Sequence, residues 1–575
     1  MKLTEALKLL QQVGTVEPFP VLLACGFTPL HLQTFLAAHL QQAISDRKVA
    51  VKTGLFGNVI GTIESAVTSN EKAIAIALEW PDLDPRLGFR QTGGWSREQL
   101  SDILLGVRQS LDRCKAALAH LPAAMPFGIS LPTLPPAPVF AAPQWLYSPA
   151  ESELQAAAAE FACAVLTMPN ASIVNRGWLD ERSPLAQRFD LKSELLAGLP
   201  YSLPHADAVG QALAQLLSPR SPKKGLITDL DDTFWKGIVG DAGPDGVSWD
   251  LASHSQIHGL YQQMLRALAD EGVLIGIASK NDPAAVKQAF ARPDVLMPLD
   301  RAFPVEVHWN AKSGSVERIL RTWNILADSV VFVDDSPMEL AEVGAAHPGM
   351  ECMLFPKSDY AEAYAFLRRL RDRFGKARVS DEDRLRLQSI RQNAEFQQGV
   401  EQGGAAPEAF LEQLNAIVTL DFRLPSADPR VLELVDKTNQ FNLNGIRFSE
   451  ADWQTALEQP GAFLVAVSYE DKFGQLGKIA VLQGRQRDRT LLINAWVMSC
   501  RAFARRIEHQ CLRTLFERFD AREMEFAWQP TLKNGPSSDF LNGLTGTQPS
   551  QTVTLSRTCF TAQCPALYHT VRSTP

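Results

Sequence analysis

Short apolar runs that end in polar clusters recur through the middle of the chain. "KGLITDLDD", "GVLIGIASKN" and "SVVFVDDSP" read as buried strands. Between them, "HGLYQQMLRALADEG" and "SGSVERILRTWNI" space their apolar residues as helices do. Strands alternating with helices predict a parallel α/β sheet covered on both faces, over residues 219–375. Ligands of such sheets bind beyond the carboxyl ends of the strands, and all three polar clusters lie there.

The flanking patterns differ. Residues 1–218 mix helical stretches such as "FTPLHLQTFLAAHLQQAI" with apolar runs like "KAIAIALEW", which predicts an N-terminal α/β domain. A proline-rich stretch at 120–145 interrupts it, and is expected to be a surface excursion or an extended cover. Residues 376–410 are charged, helix-prone and end in glycines, as a linker helix would. Residues 411–575 carry strand patterns "AIVTLDFRL", "AFLVAVSYED", "GKIAVLQGR" and "TLLINAWVM", then a helical "RAFARRIEHQCLRTLFERF", which predicts an α+β domain.

Composition narrows the partners. Of 575 residues 46% are hydrophobic, enough for several cores, and the net charge of -8 argues against a nucleic-acid partner. The eight cysteines form no CxxC pair and no zinc spacing, so they are read as reduced thiols of a cytoplasmic protein. Neither a signal-peptide pattern nor a membrane-spanning apolar run is seen, so no membrane role is expected.

The stretch "ITDLDDTFWKG" places three carboxylates within four residues, at Asp229, Asp231 and Asp232. A carboxylate that attacks a phosphate dianion needs a counterion, and Mg²⁺ accepts oxygen ligands from one or two carboxylates plus the substrate. Asp229 would be the nucleophile and, with Asp231, Asp334 and Asp335, a metal ligand. Asp231 would share its face if the backbone stays extended, and would serve as the proton donor and then the base. Ser279 and Lys312 would hold the phosphoryl oxygens.

"DLDDT", "ASKN", Lys312 in "WNAKS" and "VFVDDSP" resemble the four ordered motifs of the haloacid dehalogenase (HAD) superfamily. The second motif adds Lys280 and Asn281 as phosphate-binding candidates. "LDDTFWKGIVGDAGPDGV", "VHWNAKSGSVERI", "VDKTNQFNLNGIRFSE" and "WVMSCRAFARRIE" further resemble the FkbH-like glyceryl transferases of HAD subfamily IIIC. That resemblance implies a HAD-type Rossmann-like domain, a degenerate SGNH-like accessory domain before it and a GNAT-like domain after it. It implies removal of phosphate from 1,3-bisphosphoglycerate, or a similar phosphorylated three-carbon acid. The glyceryl group would pass to the phosphopantetheine thiol of a separate acyl carrier protein, in polyketide-type biosynthesis.

Cys500 stands just before the helix expected to begin near Arg501, where the helix dipole and Arg501 would lower its pKa. It is the candidate for a covalent glyceryl thioester; a packed core cysteine is the alternative. Asn439, Gln440, Asn442 and Arg501 are the candidates for pantetheine or acyl binding. A plain phosphatase for a metabolite or phosphoprotein, and acyl transfer to another acceptor, stay open.

Overall fold

The computed structural model describes residues 1–575 apart from 12–16, 45–46, 93–94, 138–141, 144, 219–220, 377–378, 380–385, 389, 392–393, 395–406, 423–428, 439–440, 449, 473, 500–501, 503–504, 532–533, 550–551 and 575. It forms two compact units, the first Met1–Arg220 and the second Ser221–Phe448 with Asp452–Pro575. No described helix is long and apolar enough to cross a membrane.

The first unit holds a parallel sheet of β1 (Pro18–Cys25), β2 (Lys48–Thr53), β3 (Ala73–Ala77), β4 (Phe127–Ser130) and β5 (Ala171–Ile173), in the order β2-β1-β3-β4-β5. Strand β4 lies inside the proline-rich stretch read as an excursion or a cover. Its prolines flank the strand and leave "FGIS", itself fully buried, free to pair with β3 and β5.

A polar network runs through this unit beyond the ends of β3 and β4. Glu79 accepts from Tyr201 Oη at 2.7 Å, Thr133 Oγ1 at 2.5 Å and the backbone N–H groups of Thr133 and Leu134. Thr133 Oγ1 also meets His205 Nε2 at 2.8 Å, and His205 Nδ1 meets Ser183 Oγ at 2.9 Å. All five side chains are buried. Burial, with the nearby Arg188 charge, pushes the His205 pKa down to about 3.

The second unit holds two sheets. The first is parallel, from β6 (Gly225–Thr228), β7 (Leu274–Ser279), β8 (Ala302–Val307), β9 (Val330–Asp334) and β10 (Glu351–Leu354), in the order β10-β9-β6-β7-β8. The three expected strands are its centre, and β8 and β10 are its edges. Trp323, on the helix Lys312–Trp323, is buried against it. Glycine at 225 makes room for that ring, since a Cβ there would come 2.5 Å from Trp323 Cζ3.

Most of the expected linker helix lies outside the described residues. Two of its described residues join the central sheet: Ile390 is buried in the Trp323 cluster, and Arg391 donates to the carbonyls of Asp300 and Ala302.

The last sheet is mixed. It contains β11 (Ile417–Asp421), β12 (Phe441–Asn442), β13 (Ala462–Asp471), β14 (Gly474–Arg487), β15 (Thr490–Met498), β16 (Glu523–Phe526), β17 (Val553–Ser556) and β18 (Thr570–Thr574). Strands β15 and β16 are parallel and pair from Thr490/Glu523 to Ile493/Phe526. Past that point Asn444 spans them, its Nδ2 donating to Asn494 O at 2.8 Å and to Ala527 O at 2.9 Å.

The helix expected from Arg501 starts instead at Ile507, after Arg506 takes a left-handed conformation at φ 59°. Cys500 and Arg501 themselves lie outside the described residues.

Candidate active site

The central sheet assembles its site because β6, β7 and β9 are parallel neighbours ending at one edge. Asp229 follows β6, Ser279 ends β7 and Asp334 ends β9. The Asp229 N–H donates to Val333 O at 3.0 Å, which carries the β6–β9 ladder one residue into the site. Thr228 Oγ1 donates to Asp229 O at 2.8 Å and accepts from Tyr261 Oη at 3.0 Å.

Lys312, the first residue of its helix, points between two carboxylates. Its Nζ lies 2.6 Å from Asp334 Oδ2 and 3.0 Å from Asp229 Oδ1, and all three residues are buried. Burial pushes the Asp229 carboxyl up to about 7, with Lys312 pulling it down and Asp334 adding to the rise. Asp334 is raised for the same first reason. Burial acts against the Lys312 charge, but the two carboxylates outweigh it and hold its pKa high.

Asp335 joins this pair. One carboxylate oxygen each from Asp229, Asp334 and Asp335 lies within 4.8 Å of the others. Three carboxylates crowd together here and Lys312 alone stands between two of them, so the donor set suits a hard divalent cation with oxygen ligands, as Mg²⁺ is.

The Asp231 carboxylate, expected among the metal ligands, is not in this group of three. The backbone does not stay extended beyond Asp229: Leu230 O accepts from the N–H groups of Thr233, Phe234 and Trp235, and Asp232 has φ 51°. Asp231 is drawn out of the carboxylate group by Trp235 Nε1 at 2.8 Å, Val239 N at 3.1 Å and Asn281 Nδ2 at 2.9 Å. Both of its oxygens are thereby oriented.

Ser279 and Asn281 lie on one side of the loop after β7, with Asn281 Nδ2 3.3 Å from Ser279 Oγ. Lys280, between them in sequence, is paired with Glu339 at 2.8 Å. Two enclosed polar atoms at this site, Thr233 Oγ1 and Asn281 Oδ1, have no hydrogen-bond partner among the described residues. Such atoms are uncommon in folded interiors.

Lys357 was not singled out by sequence. It follows β10 and bridges Asp335 Oδ2 at 2.8 Å and Asp232 Oδ2 at 2.9 Å. The signal was a strand end at the same edge as the others, in a strand of only four residues.

Of the acyl-binding candidates, Asn439, Gln440 and Arg501 lie outside the described residues. Asn442 is buried and its amide serves the backbone: Nδ2 donates to Thr438 O, and Oδ1 accepts from Asn444 N and Gly445 N.

No family model and no curated protein matches the chain. Among solved structures, it is similar to the N-terminal part of the protein BF1531 from Bacteroides fragilis, which contains a phosphatase domain and was crystallised with Mg. The TM-score is 0.50 at 18% identity, covering 66% of this chain and all of that one, and the likeness is one of fold. Weaker likenesses are to a putative GDSL-like lipase from Parabacteroides merdae (TM-score 0.21, 14% identity, 35% of this chain and 97% of that one) and an aryl esterase of M. smegmatis (TM-score 0.20, 15% identity, 34% and 96%).

Proposed function

We propose that the chain is a Mg²⁺-dependent phosphoryl-cleaving enzyme of the HAD type. The observation that carries this is Lys312 buried between Asp229 and Asp334, with Asp335 close enough to share a cation. The fold shared with a Mg-bound phosphatase domain supports it. Bound at Asp229, Asp334 and Asp335, Mg²⁺ would supply the positive charge that lets a phosphate dianion approach a carboxylate.

The chain's own residues then divide the work. An Asp229 oxygen attacks phosphorus, and the bond from phosphorus to the leaving oxygen breaks. Asp231, held by Trp235, Val239 and Asn281, gives its proton to that leaving oxygen. It then takes a proton from water, which attacks the aspartyl phosphate, frees inorganic phosphate and restores Asp229. Ser279 and Lys312 hold the equatorial oxygens as charge shifts.

The finer reading is that the substrate is a phosphorylated three-carbon acid such as 1,3-bisphosphoglycerate. The acyl phosphate would be attacked by the phosphopantetheine thiol of an acyl carrier protein. A carbon–sulfur bond forms, the carbon–oxygen bond to phosphate breaks, and the thiol proton and inorganic phosphate leave. The support is the resemblance of residues 435–450 and 496–508 to FkbH-like glyceryl transferases, which also implies a GNAT-like third domain and Cys500 as the acyl relay. A plain phosphatase is the second reading, favoured by the use of the Asn442 and Asn444 amides within the fold.

Intact-protein mass spectrometry separates them. The protein is incubated with Mg²⁺, 1,3-bisphosphoglycerate generated in place and a phosphopantetheinylated carrier. A glyceryl adduct on the carrier, without phosphate, supports transfer. Phosphate release with no adduct on an active carrier supports the plain phosphatase.

A further inference from the structure

The loop after β10 is anchored on both sides of Lys357. Before it, the Phe355 N–H donates to Asp334 O at 2.8 Å, and the Phe355 ring is buried against His258, Tyr261 and Phe366. After it, Tyr360 Oη donates to His254 O at 3.4 Å. The lysine delivered between these anchors binds two carboxylates from separate loops. Asp232 belongs to the turn after β6, where its Oδ1 also accepts from Gly237 N at 2.9 Å. Asp335 follows β9.

The site therefore has two lysines with different tasks. Lys312 lies between the inner pair, Asp229 and Asp334. Lys357 serves the outer pair, Asp232 and Asp335, which would otherwise confront each other as like charges.

We infer that Lys357 is a positioning residue for the divalent cation. It aims Asp335 at Asp229 and Asp334 and, through Asp232, ties the turn after β6 to the same point. The inference rests on reading those three carboxylates as the Mg²⁺ site. The Lys357 side chain is 46% exposed, so its ion pairs add little to stability. Its removal is expected to show in metal affinity and not in the melting temperature.

The test is isothermal titration of Mg²⁺ alone into the full chain, for the wild type, Lys357→Arg and Lys357→Met, with thermal unfolding as the folding control. Contacts that orient metal ligands typically contribute about 10–100-fold in affinity, so Lys357→Met should weaken Mg²⁺ binding by at least about tenfold. Lys357→Arg, able to reach both carboxylates, should stay near the wild type. Unchanged affinity in Lys357→Met would overturn the inference. Tighter binding would also overturn it, because the lysine would then merely oppose the cation's charge. Equal loss in both variants would overturn it as well.

If Lys357→Met does not fold, Asp232→Asn cuts the other end of the same bridge. Weaker Mg²⁺ binding is expected there, and unchanged binding would overturn the inference. A wild type that binds no Mg²⁺ would instead remove the metal-site reading itself.

Discussion

Lys312 donates to Asp334 across 2.6 Å, and both side chains are closed off from solvent. The lysine comes from a helix N-terminus and the carboxylate from the end of a strand. Their meeting offsets the charge that the β6 and β9 ends bring together.

Lys312→Met should therefore destabilise the metal-free protein. Removing one partner of a buried ion pair costs roughly 3–5 kcal/mol, because the remaining charge is left uncompensated. Added Mg²⁺ should return part of that loss by binding the folded state. Urea unfolding with EDTA, then with Mg²⁺, measures both. An unchanged midpoint in EDTA would mean that Lys312 does not neutralise these carboxylates.

Asp229→Asn should abolish phosphate release, by more than about 10³-fold, since an amide oxygen cannot replace the attacking carboxylate. The fold should persist, because the substitution keeps shape and removes a buried charge. Phosphate release and circular dichroism on one preparation separate the two effects. Retained release would move the nucleophile elsewhere.

Mg²⁺ affinity should rise with pH toward about 7. The Asp229 carboxyl is pushed up to about 7 in the metal-free site and must lose its proton to bind a cation. For metal-free stability the sign is opposite. A carboxyl raised above its unfolded value contributes stability below the unfolded pKa, and that contribution is lost as pH rises through about 7. Calorimetric titrations at several pH values, in buffers of different ionisation heat, would detect the released proton. A flat affinity from pH 5 to 8 would exclude Asp229 as the titrating ligand.

In the first unit His205 should produce an acid transition. Its pKa of about 3 lies below the unfolded value near 6.5, so its contribution is complete above 6.5 and lost as pH falls toward 3. Hydrogen exchange of peptides near residues 183–213, followed from pH 7 to 4, should show protection falling. His205→Gln should flatten that fall. The same fall in His205→Gln would assign it to another group.

Asn444→Ala should cost about 1–3 kcal/mol, since it strips the donor from two carbonyls where β15 and β16 part. The loss should appear as faster exchange in residues 490–498. No change in stability would mean that water replaces the amide.

The three central strands of the candidate site were legible because each is a run of apolar residues ending in polar ones. The edges were not. β8 carries Pro304 within "AFPVEV", and β10 spans only Glu351–Leu354. β4 was hidden by prolines that lie outside it. The helix at Ile507 was placed too early, because apolar spacing continues through residues 501–506 while the left-handed Arg506 interrupts the backbone.

The site divides along the same line. Residue types and their order pointed to Asp229, Ser279 and Asp334, because a polar group at a strand end leaves a local mark of apolar run and polar stop, and to Lys312, at a helix N-terminus, through the order of the motifs. Sequence alone thus determined the candidate chemistry and which strands deliver it. Tertiary structure decided which oxygens converge. The order β10-β9-β6-β7-β8 sets Asp334 beside Asp229 and brings Lys357 to Asp232, although 125 residues separate that last pair. Tertiary structure also turned Asp231 toward Trp235, Val239 and Asn281, and Lys280 toward Glu339. A local pattern records which face a residue takes along its own strand or helix; the partner across the fold depends on strand order and on where each loop turns.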